Sequence, residues 1–379
     1  MAHCNTVLSQ ILRIFPRHKF ENLSRQFPST NKMRTFSRWT QFVALVVGQL
    51  AGRDSLRGIV DCFSGQNERL YHLGIKPFSR ATLARANEQD SAPFFKALFE
   101  KLLEQCQVLA HRNTSFNLKD DGNIYLLDAT TIQLPLSLFP WAEYRTSKGA
   151  VKMHMGLSAD GYLPTFVDMS KCNKHEINIA LQKTFPKGSY LIFDSGYTDY
   201  QCYESLTKQK VYFVTRLKSN SSIERGTKRS GRKSEGVLED CEISLYGTEC
   251  SYRLVRYIDN ISGEEYSFLT NATHLQAVTV AQLYKERWQV ELFFKWIKQN
   301  LKVKSFIGTS INAVQTQLWI ALCVYLILNF LKFQSKISQS ILQILRILQL
   351  NLFERRSLES LFGLGDPKIP RDIGQLSLL

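Results

Sequence analysis

Between Leu283 and Lys298 the chain carries a helix whose apolar residues, Leu283, Val290, Leu292, Phe293, Trp296 and Ile297, cover most of its circumference. Tyr284, Arg287, Glu291 and Lys298 stand at spacings of three, four and seven, and at ~100° per residue they share an arc of ~60°. A helix that is apolar on most sides is embedded in protein, so its one narrow polar stripe lines a cleft. Burying one acid, two cations and a phenol without a use is costly. The competing reading is a surface helix on which Arg287 and Glu291 form an ordinary i, i+4 ion pair.

Two further carboxylates occupy positions where chemistry is often found. Ile124–Leu127 and Ser189–Phe193 are short strand-like runs, and each ends on an aspartate, Asp128 and Asp194. Either residue alone reads as a turn at a strand end. Taken with the helix stripe, three carboxylates converging from two strand ends and a helix suit two divalent cations. Magnesium takes oxygen ligands and lets phosphate oxygens complete its shell. Two such ions ~4 Å apart can activate an attacking oxygen and stabilise a leaving one.

The rest of the chain is consistent with a protein that handles a polyanion. Its 379 residues suffice for two or three compact units, and the formal charge of +15 favours nucleic acid. Residues 1–115 hold 16 basic and 8 acidic side chains and read as all-helical. Within them Ser79 is a helix N-cap, and exposed Arg80 and Arg85 suit a helix laid against a duplex; a plain solvated helix face fits equally well. The middle of the chain is mixed α/β, with strands expected over 150–157, 162–168 and 211–215 and a helix over 174–183. Residues 216–233 contain seven basic residues and one acid and read as a cationic loop, Arg216 and Lys218 at its base being the better candidates for phosphate contact. Residues 241–270 alternate as a small antiparallel insertion, and helix resumes near Val278. Lys152 and His154 share a strand face after Arg145 and Lys148, a basic rim for a cleaved strand; a structural role is the stronger reading for His154 and for His175.

Several classes are excluded. The eight cysteines form no Cys-x-x-Cys pair or cluster with histidine, which speaks against structural zinc and for reduced thiols. No secretion signal is visible at the start. Leu318–Leu328 is an apolar run of eleven, shorter than a membrane span and read as a buried helix. Ile341, Ile344, Leu345, Leu348 and Leu352 form an amphipathic tail helix that packs on the core or on a second subunit, internal packing being favoured.

At these residues the sequence resembles the cut-and-paste DDE transposases of bacterial insertion sequences, in the subclass marked Tyr-x2-Arg-x3-Glu-x6-Lys. Tyr284, Arg287, Glu291 and Lys298 match that spacing, and Tyr125–Thr131, Phe193–Tyr197 and Phe213–Lys218 are similar to the family's surroundings of the first two acids. The resemblance implies an α/β protein: an RNase H-like catalytic core over 120–335, interrupted by a β-rich insertion at about 216–275. It also implies an all-helical, DNA-binding domain over 1–115, and 336–379 is expected to be a helical carboxy-terminal region that could contact a dimer partner. Asp128, Asp194 and Glu291 would be metal ligands for two Mg2+ per site, with Mn2+ able to substitute. Tyr284, Arg287 and Lys298 would contact transposon-end phosphates. The family cleaves one strand with water, attacks the other with the freed 3′ hydroxyl to form a hairpin, reopens it and joins the end to target DNA, as a homodimer pairing two ends. A cytoplasmic, nucleoid-associated bacterial enzyme is the expectation. The alternatives are a DNA-binding derivative with an unused catalytic core and a metal-dependent nuclease without strand joining.

Two departures stand out. Ser195 occupies a place often basic in the family, and the only tryptophan between Asp194 and Glu291 is Trp288, on the helix itself. Tyr246, Tyr252 and Tyr257 are the alternative platforms for stacking a flipped base.

Overall fold

The computed structural model describes residues 5–28, 36–89, 92–110, 122–145, 148–171, 183–229 and 235–363. Nearly all of the helix expected over 174–183 lies outside them, as does His175.

Among the described residues six helices open the chain: α1 (Val7–Leu12), α2 (Arg17–Arg25), α3 (Arg38–Leu50), α4 (Leu56–Ser64), α5 (Arg80–Gln89) and α6 (Ala92–Ala110). Ser37, Ser55 and Ser79 each accept a backbone N–H of the following turn, the exchange that starts a helix at serine. The apolar stretch from Phe36 to Phe63 is two helices, divided where α3 ends before Ser55 caps α4.

Among the described residues ten strands follow in one sheet: β1 (Ile124–Leu134), β2 (Glu143–Arg145), β3 (Lys148–Ser158), β4 (Pro164–Lys171), β5 (Tyr190–Phe193), β6 (Tyr212–Arg216), β7 (Ile223–Lys228), β8 (Val237–Leu245), β9 (Ser251–Ile258) and β10 (Glu265–Thr270). Their order is β2-β3-β1-β5-β6-β10-β9-β8-β7, with β4 also paired to β3. β1, β5 and β6 are parallel neighbours, and α7 (Tyr200–Lys208) joins the last two. The segment expected as an insertion continues this sheet, because β10 pairs antiparallel with β6. The cationic loop expected over 216–233 is in part the edge strand β7: Arg225 lies 3.7 Å from Glu239, and the backbone of Arg225 pairs with Ile243.

The sheet separates two buried clusters. Leu126, Ile192, Val214 and Phe268 face one, and Leu127, Phe193, Phe213 and Leu269 face the other, as side-chain alternation along a strand requires. The first cluster is shared with the amino-terminal helices and with helices α8 (Ala277–Glu286), α9 (Trp288–Asn300), α10 (Ile311–Gln334) and α11 (Ile341–Asn351). Among the described residues α10 is the one helix long and apolar enough to cross a membrane by length and composition, and 89% of that window is buried inside the protein. Its hydrophobic residues point in every direction because α3, α5, α6 and α11 surround it. Ile344, Leu345, Leu348 and Leu352 are buried in the same cluster, so the tail helix spends its apolar face on its own chain.

Candidate active site

Alternation along the strands decides where the aspartates point. Asp128 is two residues beyond Leu126 and Asp194 two beyond Ile192, so both share the face covered by α8 and α9. The parallel pairing of β1 with β5 ends at Leu127–Phe193, and each aspartate is the next residue. The expectation that Asp128 closes its strand is corrected here: β1 runs on to Leu134 because β3 pairs with it throughout, with Asp128 opposite Met155. The chemistry sits where β1 outruns β5.

The helix above is not continuous, another correction. α8 stops at Glu286 and α9 starts at Trp288, with Arg287 between them at φ −53° and ψ −30°. The Arg287 N–H donates to Tyr284 O and the Val290 N–H to Arg287 O, both three-residue closures of 3.1 Å. This tightened turn directs Arg287 at the sheet. Nη2 lies 2.6 Å from Glu291 Oε1 and Nη1 3.7 Å from Asp128 Oδ2. The guanidinium therefore links a carboxylate of the helix to one of the sheet. Its side chain is 14% exposed, against 19% for Asp128 and 34% for Glu291. Burial works to lower the Arg287 pKa, but Tyr284, Glu291 and Asp128 outweigh it and hold it above its ordinary value.

Tyr284 occupies the second aspartate. Its hydroxyl donates to Asp194 Oδ1 at 3.2 Å, and Ser195 Oγ donates to the same oxygen at 3.4 Å. Burial first, and then Asp194, push the Tyr284 phenol up to about 12, so at neutral pH it is a proton donor. Lys298, further along the stripe, donates to Thr130 Oγ1 at 2.5 Å and to Thr131 O at 3.0 Å, which ties the far end of α9 to β1. Burial lowers the Lys298 pKa, with Lys304 adding to the shift and Asp128 opposing it. The four stripe residues thus all address the sheet. The helix is less embedded than its composition indicates, since Trp288 and Leu292 are 55% and 41% exposed.

The other sequence candidates fall in different places. Arg216 shares the face of Val214 and stacks its guanidinium 5.1 Å from the Tyr266 ring. It lines a cavity of about 510 Å³ with Tyr257, Tyr266, Tyr284, Arg287 and Trp288. Lys218 is exposed and outside that lining. Of the three tyrosines offered as stacking platforms, Tyr257 reaches this cavity, Tyr252 is buried, and Tyr246 is exposed at the end of β8. Lys152 is half-buried opposite Thr131. His154 is not part of a basic rim: it is 2% exposed and its Nε2 hydrogen-bonds Ser170 Oγ at 2.9 Å. Arg80 and Arg85 are exposed on α5, remote in sequence from the acids.

Sequence reasoning missed Lys295 and Lys304, which line a depression of about 360 Å³ with Asp128, Glu291 and Lys298. Lys295 was readable as one helical turn from Glu291. Lys304 lies past the helix and gave no signal. Among the described residues no three histidine, cysteine, aspartate or glutamate side chains are closed to metal-ligating geometry. The donor set itself, two aspartates and a glutamate, is of the all-oxygen kind a hard divalent cation takes. It fits in kind, with Arg287 occupying the space between Asp128 and Glu291.

The family described as the transposase DDE domain matches residues 119–327, and a domain of unknown function matches residues 3–76. A protein named as a transposase in Sinorhizobium fredii is 31% identical over 305 residues, covering 78% of this chain and 83% of its own length. One named as the transposase of insertion sequence element IS5377 in Geobacillus stearothermophilus is 28% identical, covering 69% and 70%. Among solved structures, a chain of a piggyBac transposase synaptic complex with hairpin DNA matches at TM-score 0.44 and 10% identity, over 96% of this chain and 80% of that one. With a family match over more than half its residues and a relative named as a transposase at 31% identity over 78% of the chain, the chain belongs to the DDE transposase family.

Proposed function

We propose that this transposase binds the ends of its insertion sequence and carries out cut-and-paste transposition by phosphoryl transfer at Asp128, Asp194 and Glu291. The observation that carries the reading is the shared direction of the three carboxylates: two leave neighbouring parallel strands on one face, and the third is drawn toward the first by Arg287. Like charges repel unless a cation lies between them; Arg287 reaches Asp128 and Glu291, while Asp194 accepts from the neutral hydroxyls of Tyr284 and Ser195. The three carboxylates would hold Mg2+, or Mn2+ in its place. Bound there, divalent cations supply activation of the attacking oxygen and stabilisation of the leaving one.

The protein's own side chains have separable roles. Arg287 neutralises Asp128 and Glu291 and lines the cavity beside Tyr284, where it would meet a phosphate. Tyr284 keeps Asp194 oriented through its hydroxyl and, with Arg287, faces the arriving backbone. Lys298, held to β1 by Thr130, offers a fixed ammonium to phosphate. Arg216 and Lys218 would approach DNA from the end of β6 and the segment just after it, Lys152 from the other face of β3, and Arg80 and Arg85 from the helical start. On this reading the chain would be of the Tyr-Arg-Glu-Lys subclass, with an RNase H-like core made of the parallel strands β1, β5 and β6 and the antiparallel β3 and β4. The helical start over 1–115 would be the DNA-binding domain, the core would run over 120–335, and the tail would follow from 336. A homodimer pairing two ends on the bacterial nucleoid is the corresponding working form.

The test is excision in vitro from a plasmid carrying the gene with its native flanks. Hairpin-ended fragments are expected from wild type with magnesium, and none with chelator or from Glu291→Gln, which still binds the flanks. Cleavage surviving in Glu291→Gln would overturn the metal-ligand assignment. Nicked or linear products without hairpins or joined ends would identify a nuclease. Binding without cutting under any divalent metal would identify a DNA-binding derivative.

A further inference from the structure

The loop after α9 is fixed from below by two buried glutamines. The Lys302 N–H donates to Gln49 Oε1 at 2.8 Å, and Gln49 Nε2 donates back to Lys302 O at 3.4 Å. Gln317 Nε2 donates to Lys302 O and to Ser305 O, while the Ile307 N–H donates to Gln317 Oε1 at 3.0 Å. Leu301 and Val303 are buried between these clamps, which leaves the alternate residues Lys302 and Lys304 facing outward. A loop whose backbone is held at both edges presents its side chains from fixed positions, which lowers the ordering cost of binding.

Those lysines belong to a trough. The depression at Asp128 and Glu291 is lined by Lys295, Lys298, Gln299 and Lys304. A second depression, of about 570 Å³, is lined by Lys298, Gln299 and Lys304 again and by Lys302 and Arg346, the last from α11. The shared residues make the two continuous. No carboxylate lines the second, and Lys295, Lys302, Lys304 and Arg346 form no ion pair among the described residues. Solvated lysines ordinarily spread apart; here the fold collects them in one concavity that begins at the acids. An anion of repeated charge relieves the repulsion, and the sugar–phosphate backbone has that form.

We propose that this trough carries the backbone of a DNA strand away from the acids, with Lys302, Lys304 and Arg346 each neutralising a phosphate. The assignment rests on the transposase reading above and adds α11 to its DNA surface.

The experiment is fluorescence anisotropy of the full chain, in chelator so that no cleavage occurs, on a labelled random-sequence duplex and on one of its strands across a salt series. The triple variant Lys302→Ala/Lys304→Ala/Arg346→Ala is compared with Lys101→Ala/Lys187→Ala/Lys208→Ala, which removes the same charge from exposed positions elsewhere. Three lost phosphate contacts reduce the log–log salt slope by about 2.7 on duplex and about 2.1 on a single strand. A reduction exceeding the control's on either DNA supports the trough, and one no greater than the control's on both overturns it. Lys302→Arg/Lys304→Arg/Arg346→Lys must keep the wild-type slope, and the single Arg346→Glu serves if the triple variant loses cooperative unfolding. The active-site reading is tested separately, by cleavage of the native flanks by Glu291→Gln in magnesium, so a failed trough and a failed active site give different results.

Discussion

Replacing Arg287 by glutamine should destabilise the protein in chelator and make it more responsive to magnesium. The guanidinium is 2.6 Å from Glu291 and 3.7 Å from Asp128. At an effective dielectric of ~20 a pair ~4 Å apart is worth about 4 kcal/mol before desolvation. With Glu291 a third exposed, solvent screening removes most of that, and loss of charge-assisted hydrogen bonds sets the net cost at about 2 kcal/mol. Unfolding entropy of ~2.1 cal/mol/K per residue gives ~0.8 kcal/mol/K for a chain of this length, so Tm falls by about 2.5 °C. A divalent cation supplies the missing charge. In wild type it must first displace the guanidinium, so magnesium should raise the variant's Tm by more than it raises the wild type's. Scanning calorimetry with chelator and with magnesium measures both shifts. If the variant is as stable as wild type in chelator, or if magnesium stabilises the two equally, Arg287 is not the counter-charge of these carboxylates.

Three other outcomes follow from named contacts. Tyr284→Phe removes the hydroxyl that donates to Asp194 and should cost about 1 kcal/mol in urea unfolding at neutral pH. Because folding raises the phenol from 10.0 to about 12, its stabilisation is complete below pH ~10 and is lost as pH rises toward about 12; the phenylalanine variant should show a shallower alkaline loss of stability than wild type. Gln317→Leu leaves the carbonyls of Lys302 and Ser305 short of a donor and should cost at least about 2 kcal/mol by denaturant midpoint, with faster amide exchange over 302–307. Arg253, buried at 3% exposure, holds Asp240 through two bonds of 2.8 and 2.7 Å and the carbonyls of Ala272 and Leu275. Arg253→Met should cost about 3–5 kcal/mol, read as a drop in urea midpoint, and loosen the link that carries β10 into α8.

What the sequence by itself determined was local and periodic. The spacing of Tyr284, Arg287, Glu291 and Lys298 places them on one helical arc, and the period of two carries Asp128 and Asp194 to the face of Leu126 and Ile192. Both follow from backbone geometry, so both were legible without coordinates, as were the helical start and most strand positions. The tertiary structure decided what no local period encodes. β1 continues past Asp128 because β3 is there to pair with it. Residues 223–228 become a strand because β8 supplies an edge, although their composition reads as loop. The turn at Arg287 is tightened where α8 passes over the sheet, and this directs the guanidinium between two acids that are 163 residues apart in the chain. His154 is buried because β3 lies between β1 and β4. The trough is the extreme case: Gln49, Lys302, Gln317 and Arg346 come from four segments, and only the packing of α3, α10 and α11 around one core assembles them.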